Sequence, residues 1–420
     1  MSSTRKNVLG AVPSEWKVVE LRDLGSWGGG KTPRKSNQEY WNGETPWISP
    51  KDMGGSVVHR TEDHVTQVAL SEQNLMVYDP GSVMVVFRSG VLRHTFPVAI
   101  CNRPFTVNQD MKVLSPGSEV DNRFAFYLID HLGPVVLQKA TKVGTTVESV
   151  DTDSFMSLSV GVPCLEEQHR IADVLDTVDA AIQETDSVVE KQEQVKTGLL
   201  QDLLTRGLDA NGRLRDPERE PEAFQGTELG LIPESWEIEP CAKVLSMSNG
   251  KSKTQKELAE ENGNIPVWGG NGKTGYCNDP LVSRRGIVIG RVGEYCGSVH
   301  LTDGPAWITD NAIFATVEAD WALLDFTTLY LDWFDLSSKS TRTGQPLMTQ
   351  TAVKEVPFLC PNLEEQQRIV DRVQSLQERK STERTYQNKL HQLKIGLMQD
   401  LLTGRVRVPE VKDRVDEVVA

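Results

Sequence analysis

The sequence contains no uninterrupted apolar run approaching the roughly 18 residues of a membrane span. Its opening, MSSTRKNVLGAVPSEW, has no apolar core of a secretory leader. The six cysteines (Cys101, Cys164, Cys241, Cys277, Cys296, Cys360) form no C-x-x-C pair. Packed thiols in a reducing compartment are therefore expected, not disulfides or zinc. There is no H-E-x-x-H, no G-x-S-x-G elbow and no N-P-P-[FY] loop of the kind used on exocyclic amines. These absences predict a cytoplasmic chain with no membrane partner and no catalytic, cofactor or metal constellation of its own.

Positive charge is also scarce. With 45 Lys and Arg against 59 Asp and Glu the net charge is −14, which at first argues against a nucleic-acid partner. The distribution softens this. Residues 1–160 hold 16 basic against 17 acidic groups, residues 164–206 hold 4 against 10, and residues 232–358 hold 11 against 16. Much of the excess lies on a helical stretch and a linker, leaving room for a local basic face.

What the chain does have is repetition. LEEQHRIADVL from Leu165 recurs as LEEQQRIVDRV from Leu363, and KTGLLQDLLTRG from Lys196 as KIGLMQDLLTGR from Lys394, both displaced by 198 residues. An earlier pair, LGAVPSEW from Leu9 and LGLIPESW from Leu229, is displaced by 220 residues, so the first body is 22 residues longer. Internal self-similarity sets the architecture before any motif does.

The recurring tails read as helices. Ile171, Val174, Val178, Ile182, Val189, Val195, Leu199 and Leu203 fall on alternating steps of three and four, with gaps at Thr185 and Gln192. Ile369, Val373, Leu376, Leu390, Leu393, Leu397 and Leu401 repeat that seam around a polar middle, the spacing of helices that pack along one stripe. Pro163 and Pro361 precede the helices, Glu166–Glu167 and Glu364–Glu365 enrich their first turns, and Gly207 and Gly404 close them. Two such helices ending two matching bodies favour antiparallel pairing. The bodies are mixed α/β. GSVMVVF and GIVIGRVG are strand-like, and FAFYLIDHL and TTLYLDWF helix-like. The expected domains are 1–163, a long helix 164–206, a Gly-, Pro- and charge-rich surface linker 207–231, a second body 232–362, a long helix 363–405 and a tail 406–420.

Gly25 to Thr32, inside LGSWGGGKTP, fits the phosphate-cradling pattern G-x-x-x-x-G-K-[ST]. A working loop of that kind leaves a strand and opens a helix. Here PRKSNQEYWNGETPW follows, with no helical stripe, and the second copy offers SNGKSKTQKE instead. A P-loop NTPase stays the enzymatic alternative.

Taken together, the two LEEQ-x-RI starts, the two GL(L/M)QDLLT ends and the P-x-x-W or P-x-S-W openings resemble the specificity subunit of a Type I restriction–modification system. In the first body GGGKTP, EYWNGETPWISPKDM, RSGVLRHTFPVAI and NQDMK are similar to one version of that family's target recognition domain. In the second IPVWGGNGKTGY, IVIGRVGEYCGSV and ITDNAIF are similar to another. The resemblance implies a non-catalytic chain of mixed α/β fold: two target recognition domains on double-stranded DNA, separated by a coiled-coil spacer. It further implies that the spacer docks methyltransferase subunits, which carry S-adenosylmethionine. A restriction subunit would bring ATP- and Mg²⁺-dependent translocation and cleavage. The second alternative is a helical scaffold carrying two non-DNA binding modules.

Under that resemblance, DNA reading needs cations for phosphates and planar donors or acceptors for base edges. In the first body the candidates are Lys31, Thr32, Arg34, Lys35, Arg88, Ser89, Arg93, His94, Lys142 and Thr145. In the second they are Lys251, Lys253, Asn271, Lys273, Arg284, Arg285, Arg291, Asn311, Arg342 and Gln345. Each is equally readable as a solvated surface group, and Asn271 and Asn311 as turn formers. Trp16 and Trp236 are expected to be core anchors. The four glutamates opening the helices are expected to be helix-terminus or partner contacts, not a metal site.

Overall fold

The computed structural model describes residues 5–142, 147–253, 263–341 and 344–408. The chain forms two compact units, Met1–Asp186 with Thr385–Ala420, and Ser187–Arg384.

In the first unit a four-stranded antiparallel sheet is built from β1 (Gly25–Gly29), β4 (Val83–Val86), β5 (Val98–Ile100) and β7 (Met111–Pro116), in the order β1-β7-β4-β5. A smaller sheet joins β2 (Trp41–Ile48), β3 (Asp63–Val65) and β6 (Thr106–Val107) in the order β3-β2-β6, with β2 and β6 parallel. The second unit repeats this plan. Its sheets are β8 (Leu245–Asn249), β14 (Ala312–Val317), β11 (Gly286–Gly290) and β12 (Val299–Thr302) in that order, and β10 (Gly272–Cys277), β9 (Ile265–Gly269) and β13 (Trp307–Ile308) in that order. β9 and β13 are again parallel. The apolar runs VMVV and GIVIG become the inner strands β4 and β11, every residue of them buried. A continuous apolar run, not an alternating one, is what a strand covered on both faces requires.

Helices α1 (Asn122–His131) and α3 (Leu324–Trp333) cover these sheets. α1 starts where Asp121 accepts from the backbone N–H of Arg123 and Phe124, at 3.0 and 2.9 Å, satisfying two donors the first turn leaves open. In each body the opening strand pairs with the closing one, Lys17–Glu20 with Ser159–Val162 and Glu237–Pro240 with Pro357–Cys360. Each body thus returns its chain to where it began.

The recurring tails are α2 (Leu165–Thr205) and α4 (Leu363–Leu401), of 41 and 39 residues. Within the first unit the start of α2 (Ile171, Val174, Val178, Ile182) shares a core with the end of α4 (Leu390, Leu397, Leu401). Within the second, Leu203 and Leu204 near the end of α2 share one with Ile369 and Val373 at the start of α4. The antiparallel seam is therefore apolar inside each unit. It also breaks at a position that the spacing placed on it: Val195 is 58% exposed. Polar ties replace it, Lys380 with Glu193 and Gln387 with Asp186. The cause is local, because Gln377 to Thr385 offers no apolar side chain to meet it.

The LEEQ motif is a double clasp. Gln168 and Gln366 are fully buried. Gln168 accepts from Asp121 N at 2.8 Å and donates to the carbonyls of Glu119 and Pro163. Gln366 accepts from Leu323 N at 2.8 Å and donates to those of Trp321 and Pro361. One amide thus fixes the base of each long helix to the start of its body's shorter helix. The preceding glutamate reaches to the other long helix's end. Glu167 takes Arg407, and Glu365 takes Arg215 together with the Leu208 amide. Glu166 and Glu364 instead stay exposed, each beside an arginine four residues on. Gly207 and Gly404, at φ +64° and +69°, turn each helix end against Trp236 and Trp16 respectively. Both tryptophans are buried.

The segment 207–231 is not the loose surface connection its composition suggested. Leu208 is buried, Arg215 is held by Glu365, and Phe224–Thr227 pairs with Gly230–Pro233. The buried Glu365 carboxylate requires donors, and this segment supplies them. No disulfide joins the six cysteines, and burial pushes the Cys241 thiol up to about 12, so it packs as a neutral group. No helix among the described residues is long and apolar enough to cross a membrane.

Candidate nucleic-acid interface

The glycine-rich stretch does not form a phosphate loop. Gly25–Gly29 is itself a strand, β1, paired with β7 from Gly25–Pro116 to Gly29–Lys112. After Thr32 no helix opens until the single 3₁₀ turn Gln38–Tyr40. The NTPase alternative fails on this geometry, since the glycines are a strand and no α-helix opens between Thr32 and β2.

The glycines serve close packing instead. A Cβ on Gly30 would lie 1.6 Å from the Val107 carbonyl oxygen. That approach lets Lys31 N donate to Val107 O at 3.1 Å, while Trp47 Nε1 donates to Lys31 O at 3.0 Å. The second body repeats it at Gly250 and Lys251. A Cβ on Gly250 would lie 2.0 Å from the Thr309 carbonyl oxygen. Lys251 N donates to Ile308 O at 2.9 Å, and Trp307 Nε1 donates to Lys251 O at 3.1 Å. The two indoles come from opposite sides of the same parallel pairing: Trp47 stands opposite Thr106, and Trp307 opposite Val267. Different residues thus pin one backbone geometry, and both lysine side chains are exposed.

The inner strand of each four-stranded sheet is fixed alike where it ends. Phe87, just after β4, donates its amide to Asp110 O at 2.8 Å, and Arg291, just after β11, donates to Asn311 O at 2.8 Å. Arg88, one residue further on and also within reach of Asp110 O at 3.1 Å, pairs with Ser149 as Val292 pairs with Leu347. The accepting residues close the turns Asn108–Gln109–Asp110 and Thr309–Asp310–Asn311. These turns open alike, with Asn108 N on Ile48 O and Thr309 N on Trp268 O, both at 2.9 Å. In the first body the turn borders a cleft of about 630 Å³, lined also by Lys35, Ser49, Lys51, Asp63 and Ser89. Among the described residues Lys31, Arg88 and Lys251 form no ion pair.

The other expected residues divide. Thr32 donates to Gln109 Oε1 at 2.5 Å and lies in the cleft with Lys35 and Ser89; Arg34 is exposed nearby in sequence. Arg93 is committed to the buried Glu148 at 2.6 Å, and holds its carboxyl below the usual range. Lys142 is committed to Asp151, whose carboxyl it likewise depresses, while His94 is exposed next to Arg93. Arg284 is tied to Glu318 at 2.7 Å and Arg285 to Asp325 at 2.8 and 2.9 Å. Lys253 sits over the Trp307 ring at 4.3 Å and Lys273 over Tyr276 at 4.2 Å. Asn271 is exposed in the turn before β10, and Gln345 is exposed near Gly293. Thr145 and Arg342 lie outside the described residues.

Sequence reading passed over Gln109 and Asp310, which hold the centre of the two turns. Nothing in NQDMK against ITDNAIF marks them as counterparts. Only the shared backbone bonds do.

Residues 13–191 and 233–392 match the Type I restriction modification DNA specificity domain. The chain belongs to this family of two-domain proteins. It is 37% identical over 177 residues to the Escherichia coli Type I restriction enzyme EcoR124I/EcoR124II specificity subunit, covering 42% of this chain and 43% of that one. It is 28% identical over 262 residues to the MjaIX specificity subunit of Methanocaldococcus jannaschii, covering 61% and 58%. The chain thus spans about half the length of these two relatives. The solved S subunit of a Type I restriction–modification system from M. genitalium superposes with a TM-score of 0.60 at 16% identity, over 92% of this chain and 96% of that one, a likeness of fold.

Proposed function

We propose that this chain is the DNA specificity subunit of a Type I restriction–modification complex, each body reading one half of an asymmetric bipartite target. The observation that carries this is the duplicated corner: a backbone-fixed lysine, placed alike in both bodies, beside turns of different sequence. Two like frames with unlike readers are what an asymmetric target requires. The chain contributes recognition; S-adenosylmethionine, ATP and Mg²⁺ belong to methyltransferase and restriction subunits, for which the long helices are the docking platform. The complex acts in the cytoplasm, where the DNA is.

The test is methylome sequencing of cells expressing the chain with its methyltransferase subunit. One bipartite motif is expected, and exchanging residues 14–160 for the first body of another system should change one half of it. Methylation without sequence preference, or exchange that alters both halves, would overturn the reading.

A further inference from the structure

The two corners separate a common frame from a variable reader. The frame is backbone: the Lys31 and Lys251 amides on β6 and β13, the Phe87 and Arg291 amides on the turn's last carbonyl, and the turn's first amide on β2 or β9. Frame bonds of this kind fix where the side chains stand without depending on what they are. Lys31 therefore occupies the place of Lys251, while Asn108–Gln109–Asp110 is replaced by Thr309–Asp310–Asn311; Phe87 stands where Arg291 does, and Arg88 where Val292 does.

Within the first turn the roles differ. Asn108 is buried, accepting from Asp110 N at 3.0 Å and donating to Asp110 Oδ2 at 3.1 Å. It shapes the turn. Gln109 is exposed at the rim of the cleft. Thr32 donates to its Oε1 at 2.5 Å, and its Nε2 reaches Asp110 Oδ2 at 3.4 Å. Its amide plane is thus oriented yet open, with one donor and one acceptor side by side. At the same place in the second body Asp310 is exposed and offers acceptors only. Thr309, in the position of Asn108, leaves its Oγ1 buried with no partner among the described residues.

We propose that Gln109 and Asp310 are the base-reading residues of their bodies, with Lys31 and Lys251 as equivalent phosphate contacts. This rests on the DNA-reading function proposed above. An amide presenting donor and acceptor together matches the adenine N6 and N7 edge, and a carboxylate matches the cytosine N4 amine. Gln109 reads adenine and Asp310 reads cytosine. A carboxylate facing a polyanion is otherwise repelled, so Asp310 is favoured at that place only where it meets a donor.

The experiment uses the full chain in complex with its methyltransferase subunit. Methylomes are compared for wild type, Gln109→Asp and Asp310→Gln. Each exposed substitution should change the preference at one base pair, Gln109→Asp in one half of the motif and Asp310→Gln in the other. In parallel, duplexes altered at single positions compete for the purified complexes. Gln109→Ala should narrow discrimination at one position by between about fivefold and a hundredfold. Lys31→Ala should instead weaken all duplexes alike and lower the salt slope by about one. Variants that keep the wild-type preference at every position, in methylation or in competition, overturn the assignment while leaving the specificity function standing. Loss of methylation with discrimination narrowed at one position upholds the assignment. A wild-type complex with no preferred motif would instead remove the function beneath it.

Discussion

Arg215 donates twice to Glu365, at 2.6 and 3.1 Å, with the two side chains only 15% and 1% exposed. A carboxylate so buried survives only with its donors in place. Arg215→Met should destabilise the second unit by about 3–5 kcal/mol, read as a drop in urea midpoint. Adding Glu365→Leu should recover only part of this, because the Leu208 amide and Trp236 Nε1 also donate to that carboxylate.

The tryptophans that occupy matching sites are not energetically matched. Trp236 Nε1 donates to Glu365 at 3.2 Å, whereas Trp16 Nε1 is buried with no partner among the described residues, and Glu167 is paired with Arg407. Trp236→Phe should therefore cost about 1.5–3 kcal/mol more than Trp16→Phe, the worth of a hydrogen bond to a charged acceptor. Denaturation of the two variants side by side measures the difference, and equal losses would contradict it.

At the glycine–lysine corner a methyl group is the discriminating probe. Gly30→Ala and Gly250→Ala each push a Cβ into a backbone carbonyl, which cannot rotate aside, so each should cost about 1–3 kcal/mol and weaken reading by its own body. Mg·ATP should leave the melting temperature of the wild-type chain unchanged. A rise with ATP that Lys31→Ala abolished would restore the nucleotide-binding alternative.

The acid side of the stability curve should depend on Asp151. Lys142 and Ser154 hold its carboxyl below the ordinary value near 3.8. A depressed carboxylate contributes stability above its unfolded value and loses it as pH falls through the folded one. Asp151→Asn keeps a capping oxygen for Ser154 N but removes the charge. The variant should lose less stability than wild type between neutral pH and pH 3, measured by thermal melts across that range.

Much of the architecture was legible because repetition and periodicity are properties of sequence itself. VMVV, GIVIG and the long seams carried their own signal. Val195 did not follow, since its exposure depends on the polar stretch of the other helix, which no window around Val195 contains. The meaning of LEEQ was also hidden: its residues recur visibly, but their partners, Asp121 and Arg407 or Leu323 and Arg215, lie far away in sequence. The corner was only half legible. GGGKTP caught the eye for a chemistry it does not perform, while Gln109 and Asp310 drew none, because the spacing between the copies drifts along the bodies and conceals that they correspond.

Each compact unit is completed by the far half of the other repeat's helix. The segment that was duplicated and the segment that folds are therefore different pieces of chain. GLLQDLLT at Gly198 and GLMQDLLT at Gly396 present nearly the same leucines to Trp236 and Trp16. Because the sockets are alike, a genetic crossover within these stretches would deliver a new body onto an old helix without reshaping either. Inheritance can shuffle the readers while the joints stay the same.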